Sequence, residues 1–221
     1  MAYCTVQDIR AEGITIEQAP DDRLQMLIDL ATRYIDKITG WWFEPRQTTL
    51  LLDGTGKPEL LLPIFPITID TVYINNIPLR TEEYIVYNRL VPDDRYNPKI
   101  VRRGFAVYPP PPWTDGCMQP VWLRGRQNIK VVGTFGFCDQ DEQGNWITPP
   151  LIKDVCKRLV IRDLPSLGQD SEARKRSYIV SESTEGHSYS LSKLATSGGL
   201  TGDPAIDEVL RHYTRTRWAV A

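Results

Sequence analysis

Residues 54 to 57 read Gly-Thr-Gly-Lys, the closing half of a loop that cradles phosphate. Such a loop needs G-x-x-x-x-G-K-[ST] between a strand and a helix. Its glycines turn successive N–H groups toward the phosphates, and its hydroxyl ligates Mg²⁺. Here the first glycine position is Leu51 and the hydroxyl position is Pro58. The apolar runs "TTLLLD" and "ELLLP" flank the tetrapeptide, so the pattern predicts a β-hairpin whose glycines supply positive φ. A second near miss is "DQDEQGNW", residues 139 to 146. Asp139, Asp141 and Gly144 fit a calcium loop, but Gln143 stands where the third ligand belongs and Pro150 where the bidentate Glu belongs. A solvated acidic turn is expected there.

The other chemistry-bearing residues do not form a recognisable set. The two histidines are His187, in a polar turn, and His212, beside the apolar stripe of a short last helix. Asp53, Asp70, Asp93 and Asp94 lie in or beside turns. Gly-x-Ser-x-Gly, His-Glu-x-x-His and the dinucleotide fingerprint do not occur. The expectation is a protein that is not an enzyme, with no catalytic, cofactor-binding or metal-binding residues. Cys4, Cys117, Cys138 and Cys156 are scattered without a Cys-x-x-Cys, which predicts reduced thiols in a cytoplasmic product. A net charge of −2 gives no broad basic footprint for nucleic acid or an anionic membrane. No apolar run approaches the ~20 residues that span a bilayer. The N-terminus, "MAYCTVQDIRAEG", shows no secretory leader pattern.

Three regimes follow one another along the chain. Residues 1–46 read as helical. Thr5 is a candidate cap for a short first turn, and "DDRLQMLIDLATRYIDKITG" places Leu24, Leu27, Ile28, Ala31, Tyr34, Ile35 and Ile38 at helical spacing. Gly40 supplies the stop. Trp41, Trp42 and Phe43 then cluster. Three adjacent large aromatics cannot all enter one core, so a subunit interface through at least one of them is expected. Residues 47–137 are β-rich and antiparallel, because alternating apolar runs follow one another without intervening helices. "YPPPPW", residues 108–113, should form a stiff polyproline loop.

Residues 138–165 hold the acidic loop and a second major helix. Thr148 is its expected cap, and Ile152, Val155, Cys156, Leu159 and Val160 form its stripe. Residues 166–221 read as an extended tail. A hairpin turning near Glu185-Gly186 and a terminal helix capped by Asp203 are expected within it. That helix is too short to hold in water by itself, being under ~12–15 residues. Its stripe of Ile206, Val209, Leu210 and Tyr213 must pack on this chain's core or on another protein. The fold class expected is α+β: a small helical bundle with an inserted antiparallel β-rich region and an extended C-terminal tail.

The order of these pieces resembles the head-to-tail connector, or adaptor, family of long-tailed bacteriophages. Four stretches carry the likeness: "LIDLATRYIDKITGWWFEPR"; "LLLDGTGKPELLLPIFPITIDTVYINN"; "IKVVGTFGF" followed by "TPPLIKDVCKRLVIRDL"; and "SESTEGHSYSLS" before a helix ending "EVLRHYTR". The β-rich middle is longer than in the smallest family members. The resemblance implies a homo-oligomeric ring of about twelve copies below the portal protein, at the neck of the virion. It implies assembly in the host cytoplasm, a downstream stopper or terminator as a further partner, and genomic DNA passing through the channel without sequence readout. No cofactor and no membrane are implied. On this reading Ile206, Val209, Leu210 and Tyr213 form the portal-docking face, rimmed by Arg211, Arg215 and Arg217. The alternatives are another neck ring protein, stopper or tail terminator, and a small hydrolase.

Overall fold

The computed structural model describes residues 2–106, 117–118, 120–164, 181–184, 187–190 and 200–214. The polyproline loop expected at 108–113 lies outside them, as do Arg215 and Arg217. The fold is α+β, and its contacts divide it into two units. One unit joins Met1–Phe43 to Thr148–Ala221; the other is the intervening Glu44–Ile147. The acidic loop, which the sequence reading joined to the following helix, falls in the intervening unit.

The first unit is built on helices. α1 (Val6–Ala11) opens with a reciprocal cap: Asp8 N donates to Thr5 Oγ1 at 3.1 Å, and Thr5 N donates to Asp8 Oδ2 at 2.8 Å. α2 (Asp21–Thr39) ends at Gly40, whose φ of +73° closes the helix through a 2.9 Å bond to Asp36 O. Its buried face is Leu24, Leu27, Ile28, Ala31, Thr32, Ile35 and Thr39. Tyr34, expected on that face, is exposed. A true 3.6 repeat carries the stripe through Thr32 and Thr39 instead. α3 (Pro150–Asp163) buries the five residues expected, but Pro149 rather than Thr148 is its N-cap and no side chain caps it. α1 is clipped to α3 by Lys153–Asp8 at 2.8 Å and by Lys157–Glu12. α4 (Pro204–Tyr213) packs against α2 and α3.

The second unit holds two antiparallel sheets and small hairpins. β1 (Arg46–Gly54), β3 (Pro66–Ile74), β4 (Ile77–Pro78) and β9 (Gly125–Phe135) form one sheet in the order β1-β9-β3-β4. β2 (Glu59–Leu61), β5 (Tyr84–Tyr87) and β6 (Lys99–Arg102) form the other, in the order β2-β6-β5. β7 (Phe105–Ala106) pairs with β8 (Cys117–Met118), and β10 (Asp139–Gln140) with β11 (Trp146–Ile147). In the first unit's sequence span, β12 (Ser181–Thr184) pairs with β13 (His187–Ser190), the hairpin expected around residues 185–186. β9 is the central strand of the larger sheet, and Ile129, Val131 and Phe135 are buried along it. Asn75 and Asn76, both with positive φ, make the tight turn from β3 to β4.

The Gly-Thr-Gly-Lys stretch is not a hairpin tip. β1 pairs with β9 and β2 with β6, so the stretch carries the chain from one sheet to the other. Gly56 does adopt positive φ, at +75°. Its N–H donates to Trp122 O at 2.7 Å, and Trp122 N returns a 2.9 Å bond to Lys57 O. Gly54 N donates to Asn128 Oδ1 at 2.9 Å, and Lys57 N to Thr55 Oγ1 at 3.3 Å. These three N–H groups thus have internal partners and do not converge on an outside anion. The two apolar runs looked like hairpin arms because sequence proximity favours them, but the long β9 offers β1 a nearly full-length partner. Gly54 packs so closely that a Cβ there would sit 1.7 Å from Leu123 O. Gly54→Ala should destabilise the protein by about 1–3 kcal/mol in denaturant melts, because backbone must shift to admit the methyl group.

Candidate functional site

α4 is held by its stripe and by a buried carboxylate. Ile206, Leu210 and Tyr213 are 2%, 0% and 8% exposed, and Val209 is half-buried. Of the two partners open to this stripe, the chain's own core receives it: Ile206, Leu210 and Tyr213, expected as a portal-docking face, are buried where the helix packs on α2 and α3. Asp203 caps it, accepting from Ala205 N at 2.9 Å. Asp207 is buried and accepts three bonds, from Leu200 N at 2.9 Å, Thr201 N at 2.7 Å and Thr201 Oγ1 at 2.6 Å. Arg162 on α3 donates to Thr201 O at 2.8 Å, and Tyr34 on α2 donates to Leu200 O. The segment before α4 is thereby laced to both older helices. Burial alone would raise the Asp207 pKa, but the bonds from Thr201 and Leu200, with Arg211 nearby, hold it below the ordinary value. Asp207 is not among the residues singled out from the sequence above. Its place next to Ile206 and three residues before Leu210 was the signal that it faces inward.

The aromatic segment meets the same helix. Phe43 is fully buried and makes edge contacts with Tyr3, at 5.7 Å, and with Tyr213, at 5.4 Å. Phe43 N donates to Tyr3 Oη at 3.0 Å, and that hydroxyl donates to Asp36. Trp41 is buried as well, and Trp42 is half-buried. The structure therefore brings together residues that the sequence assigned to separate partners. Arg211 and His212 are exposed on α4.

Several surfaces stay open. On α2, Asp22, Gln25, Met26, Asp29, Leu30 and Arg33 line a groove of about 420 Å³, with Met26 and Leu30 48% and 53% exposed. In the second unit, Lys57, Pro58, Glu59, Val101, Arg102 and Gly104 line another of about 470 Å³. Arg102 lies over the Trp122 ring at 5.6 Å, and its Nε and Nη1 are buried without a hydrogen-bond partner. None of these grooves sets a nucleophile beside a base. Asp141 accepts from Gln143 N, Asn145 N and Asn145 Nδ2 at 2.7–3.0 Å, and Asp139 pairs with Arg95, so hydrogen-bond donors within the protein occupy both carboxylates. The bonds from Asn145 lower the Asp141 pKa. Among the described residues, no group of three or more His, Cys, Asp or Glu is placed to hold a metal ion. No described helix is long and apolar enough to cross a membrane.

No model of a known protein family matches the sequence, and no curated protein matches it. The fold is similar to that of a solved chain from the neck of an empty GTA (gene transfer agent) particle computed with C6 symmetry. The superposition has a TM-score of 0.53 at 11% identity, and it covers 98% of this chain and 91% of that one. The likeness is one of fold.

The Asp207 clamp makes a pH-dependent contribution. Its folded pKa lies below the unfolded value, so the stabilisation is present above that value and is lost as pH falls through the folded one. Asp207→Asn should cost about 1.5–3 kcal/mol at neutral pH. In urea melts the gap to the unaltered protein should narrow as pH falls below the ordinary carboxylate range.

Proposed function

We propose that this chain is a structural subunit of the neck of a phage-like particle, acting as an adaptor that forms a ring of about twelve copies below the portal. The ring would prolong the DNA channel and offer a seat for the next neck or tail protein. The observation that supports this most is the fold likeness to a neck chain across 98% and 91% of the two chains, which includes the β-rich insertion. A subunit number of twelve is compatible with the sixfold symmetry applied to that neck. The absence of a converging acid, base or nucleophile in the described grooves favours a structural role over hydrolysis.

On this reading α4 is anchored by Ile206, Leu210 and Tyr213, and the portal contact falls to its exposed Arg211 and to Arg215 and Arg217 beyond it. Contacts between copies would draw on Met26 and Leu30 of α2 and on Trp42, apolar surface that suits an interface core. DNA would pass without base readout, and a net charge of −2 suits weak phosphate contact. The likeness to a neck protein also fits a stopper or a tail terminator, since the neck contains more than one kind of ring.

Co-sedimentation with purified portal rings separates these readings. The adaptor should travel with portal. Combined Arg211→Glu, Arg215→Glu and Arg217→Glu should weaken that binding at least tenfold, with the thermal midpoint unchanged. Undiminished binding by the triple variant would remove the docking assignment. A protein that ignores portal yet binds a downstream neck or tail ring would be the stopper or terminator.

A further inference from the structure

Cys4 precedes α1 and Cys156 lies on the buried face of α3. They are 152 positions apart, yet their sulfurs lie 3.4 Å from each other, with the Cys4 thiol donating to Cys156. Both are free thiols, 2% and 0% exposed. Thr32 on α2 donates to Cys156 and accepts from Tyr3 N at 3.4 Å. Lys153 of α3 and Asp8 of α1, ion-paired to each other at 2.8 Å, act on Cys4 in opposite directions. The bond from Cys4 favours the Cys156 thiolate and, with Thr32 assisting against burial, lowers its pKa. The same bond, with burial, pushes the Cys4 thiol up. Of the two sulfurs, Cys156 is the one whose thiolate the hydrogen bonds from Cys4 and Thr32 favour. Cys138 differs. It packs with Phe65 and Ile67, and burial raises its thiol to about 12.

We propose that Cys4 and Cys156 form an oxidisable dithiol, which a small peroxide closes into a disulfide joining the segment before α1 to α3. The Cys156 thiolate attacks one oxygen of hydrogen peroxide and the O–O bond breaks. The departing hydroxide takes up a proton to become water, leaving a sulfenic acid at Cys156. Cys4 gives up its proton and attacks that sulfur; the S–S bond forms, the S–O bond breaks, and the oxygen leaves as a second water. Two thiols and one peroxide thus become one disulfide and two waters, and the two electrons lost by sulfur are gained by the peroxide. The sulfurs must close to about 2.05 Å. Cys4 lies outside any helix, ahead of the Thr5 cap, so its segment can shift without unwinding α1. Brief opening of that segment admits the peroxide. This inference is independent of any role in a neck.

The test treats the full chain with hydrogen peroxide, alkylates the remaining thiols and maps the peptides by mass spectrometry. A Cys4–Cys156 linked peptide and a mass loss of about 2 Da are expected. The unfolding midpoint should rise by about 5 °C and return on treatment with dithiothreitol. Cys4→Ser should leave a sulfenic acid at Cys156 that dimedone captures. Cys156→Ser should leave Cys4 unoxidised. Sulfinic or sulfonic acid at either position without a linked peptide, a link through Cys117 or Cys138, or no thiol loss would each overturn the proposal. Peptide mapping of the unaltered protein decides the matter even if either variant fails to fold.

Discussion

The helical unit depends on a junction between distant parts of the chain. Residues up to Phe43 and residues from Thr148 onward must meet to make one core. Phe43 is one place where they do: Tyr3 packs on it from the N-terminal side, and Tyr213 from the last turn of α4. The Tyr3 hydroxyl fixes the geometry by joining Asp36 to the Phe43 backbone. Each large side chain buried there contributes about 1.5–3 kcal/mol. That is enough to hold a ten-residue helix that would fray alone. Capping by Asp203 and the Asp207 clamp then stop the helix and its lead-in from sliding.

The β-rich unit is governed by close backbone approach. Gly54 lies against Leu123, and Gly133 lies so near Thr68 that a Cβ would come within 2.2 Å of its carbonyl oxygen. β3 takes up the difference by register shifts on both sides of Thr68 and Ile69. The same crowding explains why the Gly-Thr-Gly-Lys segment has no phosphate chemistry. Its N–H groups hold two parts of the unit together, and a loop that binds an anion must leave them free. The open grooves on α2 and beside Arg102 are lined by a mixture of apolar and charged side chains.

Much of this was legible in the sequence, and most of the misses share a cause. Caps and stops at Thr5, Gly40 and Asp203 depend on local chemistry and could be read residue by residue. The stripes of α2 and α3 follow from periodicity, apart from Tyr34. Pairing partners depend on contacts far along the chain, so the choice of β9 for β1 was not readable from the flanking runs. The inward turn of Asp207 and the union of Phe43 with Tyr213 likewise require the fold. The resemblance to connector proteins rested on the order of elements, and the similarity to the solved neck chain, at 11% identity, is one of fold.

The interrupted build of the helical unit also sets a timetable. Domains tend to form as units while the chain emerges from the ribosome. Glu44–Ile147 is one uninterrupted stretch, so the β-rich unit can mature as soon as it is released. The helices made first must wait, with Phe43 and α2 lacking their last covering, until Tyr213 has been translated. Any pause late in the message would prolong that exposure and invite premature association between nascent chains.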